Sequence, residues 1–249
     1  MIRGIYTASA ALRATTLHQT RLAHNLANLQ TTGFKQVLTT HQAYELQRLG
    51  EYDVEKAAFV RGVGSLEHGL LVPEEIVDFS QGVLKVTDRP LDLAIEGDAF
   101  FRVQTPQGER YTRDGSFHRD GLGRLVTRDG YFVLNAQLQP ISLPQGPVTV
   151  TGEGYILVGD DLVGQLGLAG FPNGEGLARE NGNLYRAEEA APGPPGNATV
   201  HQGYLEGSNV DEDAQILEMM RILRLYEASR KTLQIQDQAL SGALSVGQV

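Results

Sequence analysis

No cysteine occurs among the 249 residues, so disulfides, thiolate nucleophiles and cysteine-based metal sites are excluded. No run of about 18 apolar residues is present, and no membrane span is expected. Basic residues are in deficit, with 21 Lys and Arg against 30 Asp and Glu and a net charge of −9. A general nucleic-acid binder would carry a basic surface instead. The N-terminus is not expected to act as a secretory leader, because Arg13, Gln19 and Arg21 interrupt any apolar stretch before a cleavage site could follow. Export would need another route.

Catalytic patterns are missing too. His18, His24, His41, His68, His118 and His201 form no HExxH pair or other metal spacing, and no serine sits in a GxSxG elbow. Gly62-Val63-Gly64-Ser65 begins like a phosphate loop but lacks the lysine, and reads as a turn. Asp114, Asp120 and Asp129 each precede a glycine, which makes them turn residues rather than a carboxylate pair or calcium site. The chain is read as a non-enzyme with no cofactor and no metal.

What is present is a chain with two helical ends and a β-rich middle. Its length suits one or two domains. Residues 1–40 hold Arg3, Arg13, Arg21 and Lys35 and no acid, a charge of +4. Residues 209–249 hold six acids and four bases, a charge of −2, which leaves −11 for the middle. From Ile5 to Leu29 there is neither Pro nor Gly. Ile5, Leu12, Gln19 and Leu26 form one heptad row, with Ala8, Thr15, Leu22 and Leu29 beside it. Thr31-Thr32-Gly33 then stops the helix, with Gly33 as a left-handed cap.

A second helix is expected from Ser208-Asn209-Val210-Asp211 to about Leu244. Capping residues and the acids Asp211, Glu212 and Asp213 suit the positive end of its dipole. Met219, Tyr226, Leu233 and Leu240 form its apolar row, with Ile222 alongside. At 1.5 Å per residue the two helices would span roughly 38 and 50 Å. Helices this long with narrow stripes need partners, either each other or neighbouring copies.

Between them, Leu91–Glu96 and Leu162–Leu168 alternate with period two, and Asp-Gly or Asn-Gly turns recur. Thr112-Arg113-Asp114-Gly115 returns as Thr127-Arg128-Asp129-Gly130, a spacing that suits successive hairpins. The expected organisation is α+β: an N-terminal helix over 1–32, an extended connector over 33–80, a mainly antiparallel β domain over 81–205 and a C-terminal helix over 206–249. The two helices would pack as a coiled-coil-like pair.

Four segments carry a family resemblance. His24-Asn25-Leu26-Ala27-Asn28-Leu29-Gln30-Thr31-Thr32-Gly33-Phe34-Lys35 resembles the N-terminal signature of flagellar rod, hook and hook-associated proteins, with His24 where an Asn is usual. Pro90 through Phe101 is similar to a second family motif, with Ala99 replacing a favoured Gly. Tyr111–Phe117 with Gly123–Thr127 resembles the β-domain motif, and Gly207-Ser208-Asn209-Val210 leading to Arg224-Leu225-Tyr226-Glu227 resembles the C-terminal helix. The matches run through nearly the whole chain in order.

The resemblance implies a structural subunit of the bacterial flagellar basal-body rod, most like the proximal-rod FlgF subfamily, with distal-rod FlgG as the alternative. It implies helical polymerisation into a drive shaft, export by the flagellar type III apparatus without a cleaved signal, and partners among rod subunits and further copies of the chain. The expected assembly interface is Ile5, Leu12, Leu22, Asn25, Leu26, Asn28, Leu29, Gly33, Phe34, Met219, Ile222, Tyr226, Leu233 and Leu240. Asn25 and Asn28 are expected to bridge backbone at the Thr32-Gly33-Phe34 turn. A surface or periplasmic module using the β domain as a ligand platform is the competing reading.

Overall fold

The computed structural model describes residues 2–39, 47–53, 58–66, 75–180, 182–188 and 191–246. Helix α1 spans Ile2–Ala27 and helix α2 spans Glu212–Val246; every strand pairing described between them is antiparallel. The fold is α+β, as the sequence pattern requires. Asp211 caps α2 by accepting the Ala214 N–H at 3.2 Å, whereas Asn209, also a candidate cap, is engaged elsewhere.

The chain divides into two compact units. One comprises residues 1–26, 37–76 and 211–249 and contains most of both helices. It also holds a strand Val37–Thr39 and a hairpin of Gln47–Asp53 with Ala58–Leu66. Gly62 and Gly64 lie within the second strand of that hairpin, opposite Gly50 and Leu49. The Gly62–Ser65 turn expected from sequence is therefore a strand. Three stretches of the expected connector, residues 40–46, 54–57 and 67–74, lie outside the described residues.

The other unit, residues 27–36 and 77–210, is the β domain. Its largest sheet is organised around the strand Ala99–Thr105, which pairs with Gly108–Thr112, Phe132–Val133 and Leu168–Gly170. Period-two alternation sends Ala99, Phe101 and Val103 to one core with Leu93, Ile95, Phe117, Val133 and Ile156. Phe100 points the other way, into a second core with Tyr111, Phe171 and Tyr185. Edge-to-face rings hold that cluster, with Tyr111 and Phe171 centroids 4.8 Å apart and Phe79 and Tyr185 5.2 Å apart.

The repeated Thr-Arg-Asp-Gly segments take different forms. Thr127–Gly130 is an exposed hairpin turn between Leu125–Val126 and Phe132–Val133. Thr112–Gly115 instead packs inward, where Leu93 N–H bonds the Gly115 carbonyl at 3.0 Å and a Cβ on Gly115 would overlap the Leu93 carbonyl. Only one of the two segments is a hairpin.

Candidate functional site

The segment that follows α1 enters the β domain and is fixed there by buried polar groups. Gly33 takes φ +64°, the left-handed conformation expected of it. Its N–H donates to the Glu206 backbone carbonyl at 2.8 Å. A Cβ at this position would lie 2.5 Å from the Arg113 carbonyl carbon and from the Asp114 nitrogen. Glycine is thus required twice, by backbone angle and by close approach. Thr32 Oγ1 donates to Asp114 Oδ1 at 2.7 Å, and Asn183 Nδ2 donates to the Thr32 carbonyl at 2.6 Å. Phe34 is fully buried, with the Arg179 guanidinium 4.7 Å above its ring.

Lys35 lies at the centre. Its Nζ donates to Glu206 Oε1 and to the Ser80 carbonyl, both at 2.6 Å. Glu206 Oε1 also accepts the Gly82 N–H at 2.9 Å, and its Oε2 accepts Arg113 Nη1 at 3.4 Å. Arg113 turns its other nitrogen to the Gly97 carbonyl at 2.5 Å and lies over the Phe100 ring. The side chains of Lys35, Arg113 and Glu206 are 1, 3 and 0% exposed. Burial pulls the Lys35 ammonium below its ordinary range, and Glu206 opposes the shift. Arg113 is pulled down in the same way and for the same first cause. Two cations share one carboxylate here, and backbone carbonyls complete the solvation that water would have supplied.

Asn209 closes the other side of this junction. Its Oδ1 accepts the Gln36 N–H at 2.7 Å, while its Nδ2 donates to the carbonyls of Asp78 and Ser80 at 2.9 and 3.1 Å. The segment leaving α1 and the segment entering α2 are thereby fastened to the same β domain.

Within the helical unit, Asn25 is fully buried. Its Oδ1 accepts the Val37 N–H at 3.0 Å and its Nδ2 donates to the Val37 carbonyl at 2.9 Å and to Gln215 Oε1 at 3.3 Å. Asn25 therefore bridges backbone at Val37 and not at the Thr32–Phe34 turn, a correction to the expectation. Val37, twelve residues on, belongs to the same unit as Asn25 and offers both of its backbone groups to the amide. Asn28 accepts Thr31 Oγ1 at 3.0 Å through its own side chain.

Of the remaining expected interface residues, Leu22 and Ile222 are buried. Leu12, Leu26, Leu29, Met219, Tyr226, Leu233 and Leu240 are half-buried. The side chain of Ile5 lies outside the described residues. Among the described residues, the large exposed apolar side chains of α2 are Ile216, Leu217, Met220, Leu223, Leu225 and Ile235, none of which is among the expected interface residues. Lys35, Arg113 and Glu206 were not recognised as a unit either. The signal available was a lysine directly after the buried Phe34, which needs an acid whose position sequence spacing does not give.

Among the described residues, no group of three or more His, Asp or Glu is placed to hold a metal, and no helix is long and apolar enough to cross a membrane.

The flagellar hook protein FlgE/F/G D1 domain family matches residues 94–158, the strands that build the first core and surround Arg113. The flagellar basal body rod FlgEFG protein C-terminal family matches residues 201–246, from just before Glu206 through α2. The flagellar basal-body rod protein FlgG of Borreliella burgdorferi is 33% identical, over 96% of this chain and 97% of its own. This chain belongs to the flagellar basal-body rod protein family. A rod protein FlgG from Caulobacter vibrioides is 34% identical over 96% of this chain and 97% of its own, and a rod protein FlgF from the same organism is 37% identical over 85% and 84%. The chain is a structural rod subunit, and the buried junction lies where both family matches and the N-terminal signature meet. The FlgG-named relatives cover the more complete length, so the FlgG alternative is better supported than the FlgF-like reading expected from the motifs.

Proposed function

We propose that this rod subunit occupies a FlgG-like position and polymerises helically, without catalysis, into the shaft that carries motor torque to the hook. It is exported by the flagellar apparatus without a cleaved leader and joins other rod subunits. The observation that carries this reading is the junction at Lys35, Arg113, Glu206 and Asn209, which anchors the segments flanking both helices in one rigid β domain. A subunit that transmits torque needs such anchoring, since a load borne by one part must reach the other without unfolding the link. The heptad rows of Leu12, Leu22, Leu26, Leu29, Met219, Ile222, Tyr226, Leu233 and Leu240, with Ile5, Asn25, Asn28, Gly33 and Phe34, serve this assembly by building the helical unit and its attachment.

The test is electron microscopy of isolated basal bodies from cells carrying the chain with a small surface tag on the exposed 120–123 turn. Label along the distal rod is the expected result. Label confined to the proximal rod would exclude the FlgG-like position, and basal bodies without label would exclude the rod assignment in this cell.

A further inference from the structure

Helix α2 carries apolar side chains that its own chain leaves uncovered. Ile216, Met220 and Leu223 are 39, 51 and 40% exposed and follow one another at helical i, i+4, i+7 spacing. At 3.6 residues per turn they lie roughly a third of a turn around the helix from the buried Gln215 and Ile222. The face that meets the rest of the chain is therefore not the face that bears this row. The charges around it are mainly acidic, Glu212 and Asp213 before and Glu227 after, against the exposed Arg224 beside Met220.

Helix α1 offers a complementary outer face. Its buried positions include Ala8, Thr15, Leu22 and Asn25, and its exposed positions include Arg13, Thr16, Thr20 and Ala23. Thr16 and Thr20 satisfy their hydroxyls within the helix, donating to the Leu12 and Thr16 carbonyls at 2.8 and 3.0 Å. With those hydroxyls engaged, Thr16, Thr20 and Ala23 form a small, low face bordered by the exposed Arg13 and His24. α1 contains no acid, and Arg13 is exposed on this face. A bulky row flanked by acids thus faces a shallow row bearing a base, and such surfaces fit each other in shape and charge.

We propose that the Ile216–Met220–Leu223 row of one copy docks on the Thr16–Thr20–Ala23 face of α1 in a second copy. The inference rests on the rod reading and specifies which helix faces meet. Because the two faces differ, the contact is heterologous: each copy offers one face to the next and keeps the other free, which propagates instead of closing as a symmetric pair. The exposed area is small for a stable dimer in free solution, so the contact acts by repetition along an assembly.

The absence of native cysteine allows a direct test. Full-length chain with Thr20→Cys and Met220→Cys together, expressed in cells lacking the untagged chain, is treated with a flexible bis-maleimide in isolated basal bodies. A ladder of dimers and higher multimers is expected from the double variant, and none from either single variant. Assembled basal bodies that contain the double variant but yield no ladder would overturn the docking while leaving the rod reading intact. Crosslinked dimers from Met220→Cys alone would also overturn it, because α2 would then meet α2. A second arm uses Met220→Leu and Met220→Lys. Leu should incorporate as the parent does, whereas Lys should reduce incorporation at least roughly tenfold, because an ammonium would be buried against a face that bears Arg13 and no acid, with the thermal midpoint of the free chain unchanged. Normal incorporation of Met220→Lys would overturn the proposal. Absence of the parent chain itself from basal bodies would instead defeat the rod reading.

Discussion

Glu206→Gln is nearly isosteric, yet it should be among the most damaging single changes in the β domain. The substitution removes the one carboxylate that faces both Lys35 and Arg113. It also places an amide donor against a guanidinium or an ammonium, each a donor already. Breaking a buried ion pair from one side costs about 3–5 kcal/mol. Lys35 sets a ceiling on its own share, because it can escape by losing its proton. From an ordinary value of 10.5, neutralising it costs at most about 4.8 kcal/mol at pH 7 and about 2 kcal/mol at pH 9, at 1.36 kcal/mol per unit. Burial already lowers the Lys35 value in the parent, and losing Glu206 removes the principal influence that raises it. Between the variant's folded value and 10.5 the unfolded chain binds the extra proton, so variant stability rises with pH. Urea unfolding of parent and Glu206→Gln should show a penalty of about 3–5 kcal/mol at pH 7 that is smaller at pH 9. Lys35→Met combined with Glu206→Gln should lose less than Glu206→Gln alone. A penalty below about 1 kcal/mol, or one unchanged by pH, would refute this account of the cluster.

Gly33→Ala should destabilise the chain by well over the roughly 1 kcal/mol of left-handed strain, because the new methyl also meets the Arg113–Asp114 backbone; chemical denaturation checks it, and a loss under 1 kcal/mol would contradict it. Asn25→Ala should cost about 2–4 kcal/mol, since it leaves both backbone groups of Val37 and the Gln215 amide without their buried partner, whereas Asn28→Ala should cost clearly less in the same assay. Tyr185 is fully buried without a hydrogen-bond partner for its hydroxyl, and burial pushes its phenol up to about 12. Above pH 10 the unfolded chain loses this proton while the folded chain keeps it, so stability should fall by up to about 2.7 kcal/mol as pH rises toward 12. Tyr185→Phe should flatten that decline, and an unchanged alkaline slope in the variant would show that another group causes it.

Local periodicity made both helices and the β middle legible. The heptad rows, the Asp-Gly turns and the alternation at Leu91–Glu96 all report short-range geometry, which neighbouring residues determine together. Gly33 was legible for the same reason, since a glycine after a helix announces a left-handed residue. The junction was not. Lys35 and Glu206 stand 171 residues apart and Arg113 and Glu206 stand 93 apart, and nothing local distinguishes a buried charge from a solvated one. The two Thr-Arg-Asp-Gly copies show the same limit: identical letters become a buried bend at Thr112–Gly115 and a hairpin tip at Thr127–Gly130, because only the buried copy meets Gly33 and Leu93. Asn25 was recognised as a bridging amide, but its target depended on where the chain returned after residue 36.

The spacing between Lys35 and Glu206 also orders events in time. A ribosome emits the ammonium long before the carboxylate, with 171 residues separating them. Every shorter nascent or truncated product that buried Lys35 would bury an uncompensated charge. The junction therefore closes late: the first signature of the chain locks only when the last described strand has arrived, and a subunit broken before that strand lacks the acid that compensates Lys35.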